Sequence, residues 1–120
     1  MILPEELQKT AQSLGEALKA NEAVQAYLKA KADLEKDAEG STLETRLFTL
    51  YESLIARQQV GETLERQELD EFYSLRNLVR THPLVTERDA ALTQAKLFLA
   101  DIANEISNAL GVDYTALAQS

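Results

Sequence analysis

The 120-residue chain contains no cysteine. That excludes a disulfide framework, a thiolate zinc site, an iron–sulfur cluster held by the chain's own cysteines and a thiol nucleophile, and it fits a reducing compartment. Histidine occurs once, at His82. A ferritin-like di-iron centre needs two Glu-x-x-His motifs, and His82 has valine, not glutamate, three residues before it, so that reading fails. A catalytic histidine would want a nucleophile or an orienting carboxylate fixed nearby, and no motif supplies one. GxxxxGK[ST], GxGxxG and GxSxG are all missing. The opening MILPEELQKT has neither the basic start nor the apolar run of a signal peptide. No stretch approaches the roughly 18 apolar residues of a membrane span. These absences predict a cytoplasmic protein without catalytic residues, cofactor or metal, and without membrane attachment.

Positive charge is also scarce. Twelve Lys and Arg stand against 20 Asp and Glu, a net charge of −8. Such a surface repels phosphate backbones, so direct nucleic-acid binding is not expected without a local basic patch. The longest basic cluster, Lys29, Lys31 and Lys36, is interleaved with Asp33, Glu35 and Asp37 and reads as a solvated helix face. Carboxylates do form rows: Asp33 and Asp37, Glu35 and Glu39, then Glu65, Glu68 and Glu71. Calcium loops need alternating ligands around a glycine turn, which these rows lack, so they read as surface acidity. An enzyme is not expected.

With four Gly and two Pro, the chain has little punctuation, and what there is marks helix ends. Pro4 suits a first helical turn, after which Leu7, Ala11, Leu14 and Leu18 repeat at helical spacing. Asn21 can cap a second helix bearing Val24, Tyr27, Leu28 and Leu34. At about 100° per residue, Leu43, Leu47, Leu50, Leu54 and Ile55 point roughly half a turn away from Val24, Leu28 and Leu34. A break or kink is therefore expected near residues 37–42: Asp37 or Ser41 caps a fresh helix, or Gly40 lets one long helix bend. Gly61 ends that segment. Thr63 is then a candidate cap for a helix carrying Leu69, Phe72, Tyr73, Arg76 and Val79, and Thr81-His82-Pro83 stops it. His82 is expected to cap or turn the chain there.

The last helix has the clearest pattern, with Leu92, Ala95, Leu99, Ile102, Ile106 and Ala109 alternating steps of three and four. This is a coiled-coil-like seam of about three heptads, too short to stand alone in water. It runs into NEISNALGVDY (104–114), which is dense in polar groups but reads as a helix stop. Gly111 supplies the left-handed turn, with Val112 folding back. The predicted helices are roughly 5–20, 22–36, 41–60, 64–80 and 83–110, a single all-α domain of long antiparallel helices.

Helices this long in so short a chain have much lateral surface. Leu43, Leu47, Phe48, Leu50, Tyr51, Leu54 and Ile55 span more than one face, and a helix apolar on two sides packs on two neighbours. A helical bundle completed by homodimerisation is expected. Its core or dimer contacts are Leu47, Phe48, Leu50, Tyr51, Leu54 and Ile55 on one helix and Leu92, Leu99, Ile102 and Ile106 on the last. The aromatics, Tyr27, Phe48, Tyr51, Phe72, Tyr73 and Phe98, fall on helix stripes and read as core or interface. They are not read as interleaved with Lys or Arg in the way a base-stacking platform requires.

Three stretches together carry a family likeness: AQSLGEALKANEAVQAYLKAKADLEKD (11–37), LFTLYESLIARQQVGE (47–62) with the helix leading into HPLV, and LADIANEISNALGVDY (99–114). In this order and spacing the chain resembles the YlbF/YmcA/YheA family of small helical bacterial proteins, the cell-fate regulators. The resemblance implies a cytoplasmic, non-catalytic helical protein that self-associates. It implies a role like that of relatives influencing competence, sporulation and biofilm formation as accessory factors of ribonuclease Y in RNA maturation. On that view the chain is an adaptor that grips a protein partner, with RNA contact left to the partner. Two departures bear on the transfer. Some relatives carry cysteines associated with an iron–sulfur cluster, and this chain has none. After Pro83-Leu84-Val85 relatives often place an aromatic, where Thr86-Glu87-Arg88 stand here. The alternative is a self-assembling structural helical module with no regulatory partner.

Overall fold

The computed structural model describes residues 2–119, and these form six α-helices and no strand: α1 (Glu5–Lys19), α2 (Glu22–Lys36), α3 (Ala38–Gln59), α4 (Arg66–Thr81), α5 (Pro83–Leu110) and α6 (Tyr114–Gln119). The all-α expectation therefore holds. Each boundary has a local chemical cause. Pro4 sits one residue before α1 rather than in its first turn, and its carbonyl accepts the Gln8 N–H at 3.0 Å. The Asn21 side chain accepts the Ala23 N–H at 2.8 Å and so caps α2.

One residue, Asp37, separates α2 from α3. Of the candidates for this break, Asp37 takes the capping role, its Oδ2 accepting the Gly40 N–H at 2.7 Å. Gly40 does not bend a continuous helix. It lies inside α3, buried, where a side chain would collide with its surroundings.

α3 ends in a Schellman motif. Glu62 N–H donates to the Arg57 carbonyl and Gly61 N–H to that of Gln58, each at 3.0 Å, with Gly61 at φ +86°. Glu65, not Thr63, caps α4. Glu68, three residues on, completes a capping box by accepting the Glu65 N–H at 2.9 Å, whereas the residue three after Thr63 is Arg66, which has no acceptor to return. His82 both closes α4 and opens α5. Its N–H donates to Val79 O at 3.2 Å, its carbonyl accepts from Thr86 at 3.0 Å, and its Nδ1 accepts the Leu84 N–H at 3.2 Å. Pro83 then occupies the first position of α5, where no donor is needed.

Gly111 ends α5 at φ +87°, its N–H reaching the Ser107 carbonyl at 2.8 Å. Val112 remains exposed instead of folding back. Beyond it lies α6, which the hydrophobic pattern does not reveal. Its signal is Asp113, whose Oδ1 accepts from the N–H groups of Thr115 and Ala116 at 3.1 and 3.4 Å. The Ser107 hydroxyl donates to Ala103 O and accepts the Tyr114 N–H, both at 2.9 Å, which ties α6 to the end of α5.

The chain divides into two compact units, one of residues 30–89 and the other of the described residues up to Lys29 and from Ala90 onward. The 30–89 unit holds most of the buried apolar side chains. Leu34, Val79 and Val85 form its centre, with Leu43, Leu47 and Leu84 packed against them, and Ala30, Leu54 and Leu75 are buried as well. In the other unit Ala95 is buried, Leu92, Phe98, Ile102 and Ile106 are half-buried, and α1 buries nothing. Among the described residues no helix is long and apolar enough to cross a membrane.

Candidate functional site

The 30–89 unit is built around the α3–α4 hairpin, and an arginine fixes that hairpin. The Arg57 guanidinium donates through Nε to Glu62 at 2.7 Å and through its two terminal nitrogens to the Glu68 carboxylate at 2.5 and 3.2 Å. Glu68 thus serves the capping box and the ion pair together. Its hydrogen bonds, first from Arg57 and then from the Glu65 N–H, hold its pKa below the usual carboxylate range. The same contacts, Glu68 first, keep Arg57 charged well beyond its ordinary range.

A second arginine ties α3 to α5. Arg88 pairs with Glu44 at 2.5 Å and with Asp89 at 2.9 Å. Burial works against its charge, but the hydrogen bonds it donates to Asp89 and Glu44 outweigh that and leave its pKa raised. His82 approaches Asp37 Oδ2 through Nε2 at 3.4 Å. Because Nδ1 accepts from Leu84, a neutral His82 carries its proton on Nε2, facing the carboxylate that caps α3.

With the hairpin fixed this way, α3 presents two faces. Leu54 is buried in the unit and Leu47 packs on its centre. Leu50 and Ile55 are half-buried. Phe48 and Tyr51 are 63% and 50% exposed. Of the residues expected as core or interface, Leu47, Phe48 and Tyr51 converge with Phe72 of α4 on one groove of about 260 Å³, with Glu44 at its margin. Tyr51 and Phe72 are 6.0 Å apart between ring centroids, and Phe72 meets Tyr73 edge-on at 5.5 Å. Leu50 faces a larger hollow of about 560 Å³ on the opposite side of the hairpin, whose walls mix Thr45, Arg46, Thr49, Ser53 and Glu71 with Leu75. The smaller groove is the better candidate for a binding surface, because a contact core needs desolvated aromatic and aliphatic walls more than volume. Leu92, Leu99, Ile102 and Ile106 belong to the other unit, with Leu99 43% exposed and the other three half-buried.

The aromatics are not free of basic company, which corrects the sequence reading. On α4, Arg76 stands one turn after Phe72, and its guanidinium lies 4.9 Å from the Tyr73 ring centre and 6.0 Å from that of Phe72. The signal was legible in FYSLRNLVR: the spacings Phe72 to Arg76 and Arg76 to Arg80 are both four, which places all three on one side of a helix. It was missed because Phe72 and Tyr73 were read only as core or interface residues on an apolar stripe, and Tyr73 is 52% exposed beside Arg76. Among the described residues no group of three or more His, Asp or Glu side chains is arranged to hold a metal ion.

The fold is similar to that of Bacillus subtilis RicA, whose crystal structure was determined in complex with RicF. The match covers 88% of this chain and 94% of that one at 19% identity, with a TM-score of 0.75. At that identity the likeness speaks for the fold alone. No functionally curated protein matches the chain. The family model described as "Control of competence regulator ComK, YlbF/YmcA" matches residues 7–111. Because that match spans residues 7–111 of the 120, the chain belongs to the YlbF/YmcA family.

Proposed function

We propose that this protein is a non-catalytic cytoplasmic regulator, an adaptor that works by gripping a protein partner through the groove between α3 and α4. The observation that carries this reading is the exposure of Phe48 and Tyr51 beside Leu47 and Phe72, an aromatic surface that water does not favour and that a partner would cover. The RicA structure, solved with RicF bound, supports protein contact as the working mode of this fold. By resemblance the partner belongs to a ribonuclease-linked complex acting in competence, sporulation, biofilm formation and RNA processing. The chain itself makes no direct contact with nucleic acid or membrane, uses no cofactor, and functions as a homodimer. The test is crosslinking in the native cell followed by purification of wild-type protein and of Phe48→Asp. Wild type should recover a specific partner that the variant loses while keeping its helical circular dichroism. Recovery of the same proteins by both would refute the groove.

A second reading, a self-assembling helical module with no regulatory partner, is favoured by α1. Its Leu7 and Leu14 remain exposed and none of its residues is buried. Light scattering at micromolar concentration tests the self-association that both readings contain, and recovery of a specific crosslinked partner separates them. A monomer excludes self-assembly, and an assembly that persists in Phe48→Asp places the self-contact outside the groove.

A further inference from the structure

The face of α4 beside the groove carries an unbalanced positive charge in a chain of net charge −8. Measured from Phe72 at about 100° per residue, Leu69, Tyr73, Arg76, Arg80 and Arg66 all fall within roughly 120° on one side. Glu65, the cap of α4, is the one acid in that sector; Asp70 lies about 40° beyond Arg66, Glu71 is farther round, and Glu68 faces the hairpin, so the three arginines outnumber the acids on this face. Arg66, Arg76 and Arg80 are exposed. Among the described residues none of these three forms an ion pair, whereas Arg57 and Arg88 are both held by carboxylates. On the α3 side, Glu44 at the groove margin is already neutralised by Arg88, and Glu52 stands one turn beyond Phe48. The result is an apolar centre of Leu47, Phe48, Tyr51 and Phe72 with a guanidinium rim.

We infer that the groove receives an acidic amphipathic helix of a protein partner, its aliphatic side chains seated on the Phe48–Tyr51–Phe72 centre and its carboxylates paired with Arg66, Arg76 and Arg80. This rests on the docking role proposed above and adds the chemistry of the occupant. Charge complementarity selects it. Unpaired arginines repel a basic helix, and bidentate guanidinium–carboxylate bonds become available only when acids arrive. Arg76 is already stacked on the Tyr73 ring, so less side-chain freedom is lost when it binds. Aromatics with arginine also suit single-stranded RNA. Three arginines on a surface dominated by carboxylates, however, give no continuous electrostatic track for a phosphate backbone.

The test uses the full-length protein and two labelled amphipathic peptides with leucines at i, i+3, i+4 and i+7, one flanked by glutamates and its twin by lysines. Fluorescence anisotropy at low salt should show the glutamate peptide binding about tenfold more tightly than the lysine twin, with the preference shrinking as salt is added. Arg76→Glu/Arg80→Glu should reverse the order, and Phe48→Asp should abolish binding of both peptides. Equal affinity for the two peptides, both lost in Phe48→Asp, overturns the acidic occupant and leaves the docking reading standing. Failure of both to bind, or tighter binding of an oligouridine RNA that displaces the glutamate peptide, overturns the inference. So does a change in the protein's own oligomeric mass in Arg76→Glu/Arg80→Glu with peptide preference unaltered, because the face would then belong to a second copy.

Discussion

A single methyl group added at Gly40 should lower stability at a position where helix propensity alone predicts a gain. Gly40 lies in the first turn of α3, and replacing a helical glycine with alanine is ordinarily worth up to about 1 kcal/mol. The space is already taken. A Cβ built there meets Leu34 Cδ1 at 2.8 Å, and Asp37 Oδ2 and His82 Cε1 at 3.0 Å each. Leu34 is almost fully buried against Val79 and Val85, so its methyl cannot swing out to solvent. The Asp37 oxygen is the one that accepts the Gly40 N–H, so displacing it also weakens the cap of α3.

Overpacking of this kind costs about 1–3 kcal/mol and a lost cap about 1 kcal/mol, which together exceed the propensity gain. The expected net loss for Gly40→Ala is about 1–2 kcal/mol, or roughly 0.5–1 M in urea midpoint for a small domain. Gly15→Ala is the internal control. Gly15 lies in α1 with nothing within 4 Å of its would-be Cβ, so the same substitution should stabilise by about 0.5–1 kcal/mol. Urea titrations followed at 222 nm, at one protein concentration, read both. If Gly40→Ala raises the midpoint as Gly15→Ala does, the close approach of Leu34, Asp37 and His82 is not what the geometry says it is.

Three further outcomes are expected. Asp37→Ala should cost about 1 kcal/mol by removing the α3 cap, and Asp37→Asn, which keeps an acceptor oxygen, should cost less; equal losses would mean the Gly40 N–H bond is not the source. Glu68 has a lowered pKa, so its contribution is complete above the ordinary carboxylate value of 4.5 and is lost as the pH falls through its folded value. Stability measured against pH should therefore drop on the acid side of 4.5 in wild type and drop less in Glu68→Gln; identical acid limbs would exclude the Arg57–Glu68 pair as a cause. Ile106→Asp, at a half-buried position of the α5 seam, should destabilise by roughly 2 kcal/mol or split an oligomer, and a variant with wild-type melting and unchanged mass would refute that.

Helix identity was legible wherever apolar periodicity and end chemistry agreed. The α5 stripe and its Gly111 stop could be read directly, as could the Asn21 cap. The change of face between Leu34 and Leu43 required an interruption, but three residues could supply it, and only packing distinguishes them. Asp37 wins because its carboxylate also meets His82, a contact across 45 positions of sequence that no local pattern encodes. Glu65 was overlooked as a cap because threonine is the commoner choice. The decisive feature was the second glutamate at Glu68, which Arg57 holds in place from the preceding helix. α6 escaped because six residues are too few for periodicity to register.

The candidate surface was half legible, and the half that was missed matters more for function. Helix spacing puts Phe48 about 120° from Leu54 with Tyr51 midway between them, but it could not tell whether that side was covered. Coverage depends on which side of α4 turns toward α3. That is decided by Leu75 and Val79 going inward, which leaves Phe72 at the edge and Tyr73, Arg76 and Arg80 outside. Net charge concealed the consequence. A total of −8 suggests an acidic surface throughout, yet totals do not record which charges are paired. Arg57 and Arg88 are engaged in holding the hairpin and the α3–α5 contact, so they present little charge to a ligand. Arg66, Arg76 and Arg80 have no such duty and share one face of one helix. An acidic protein with a basic rim around an aromatic groove can stay soluble through general self-repulsion and still attract an acidic helix at one place. Selectivity of that kind follows from the distribution of paired and unpaired arginines, not from the sum of charges.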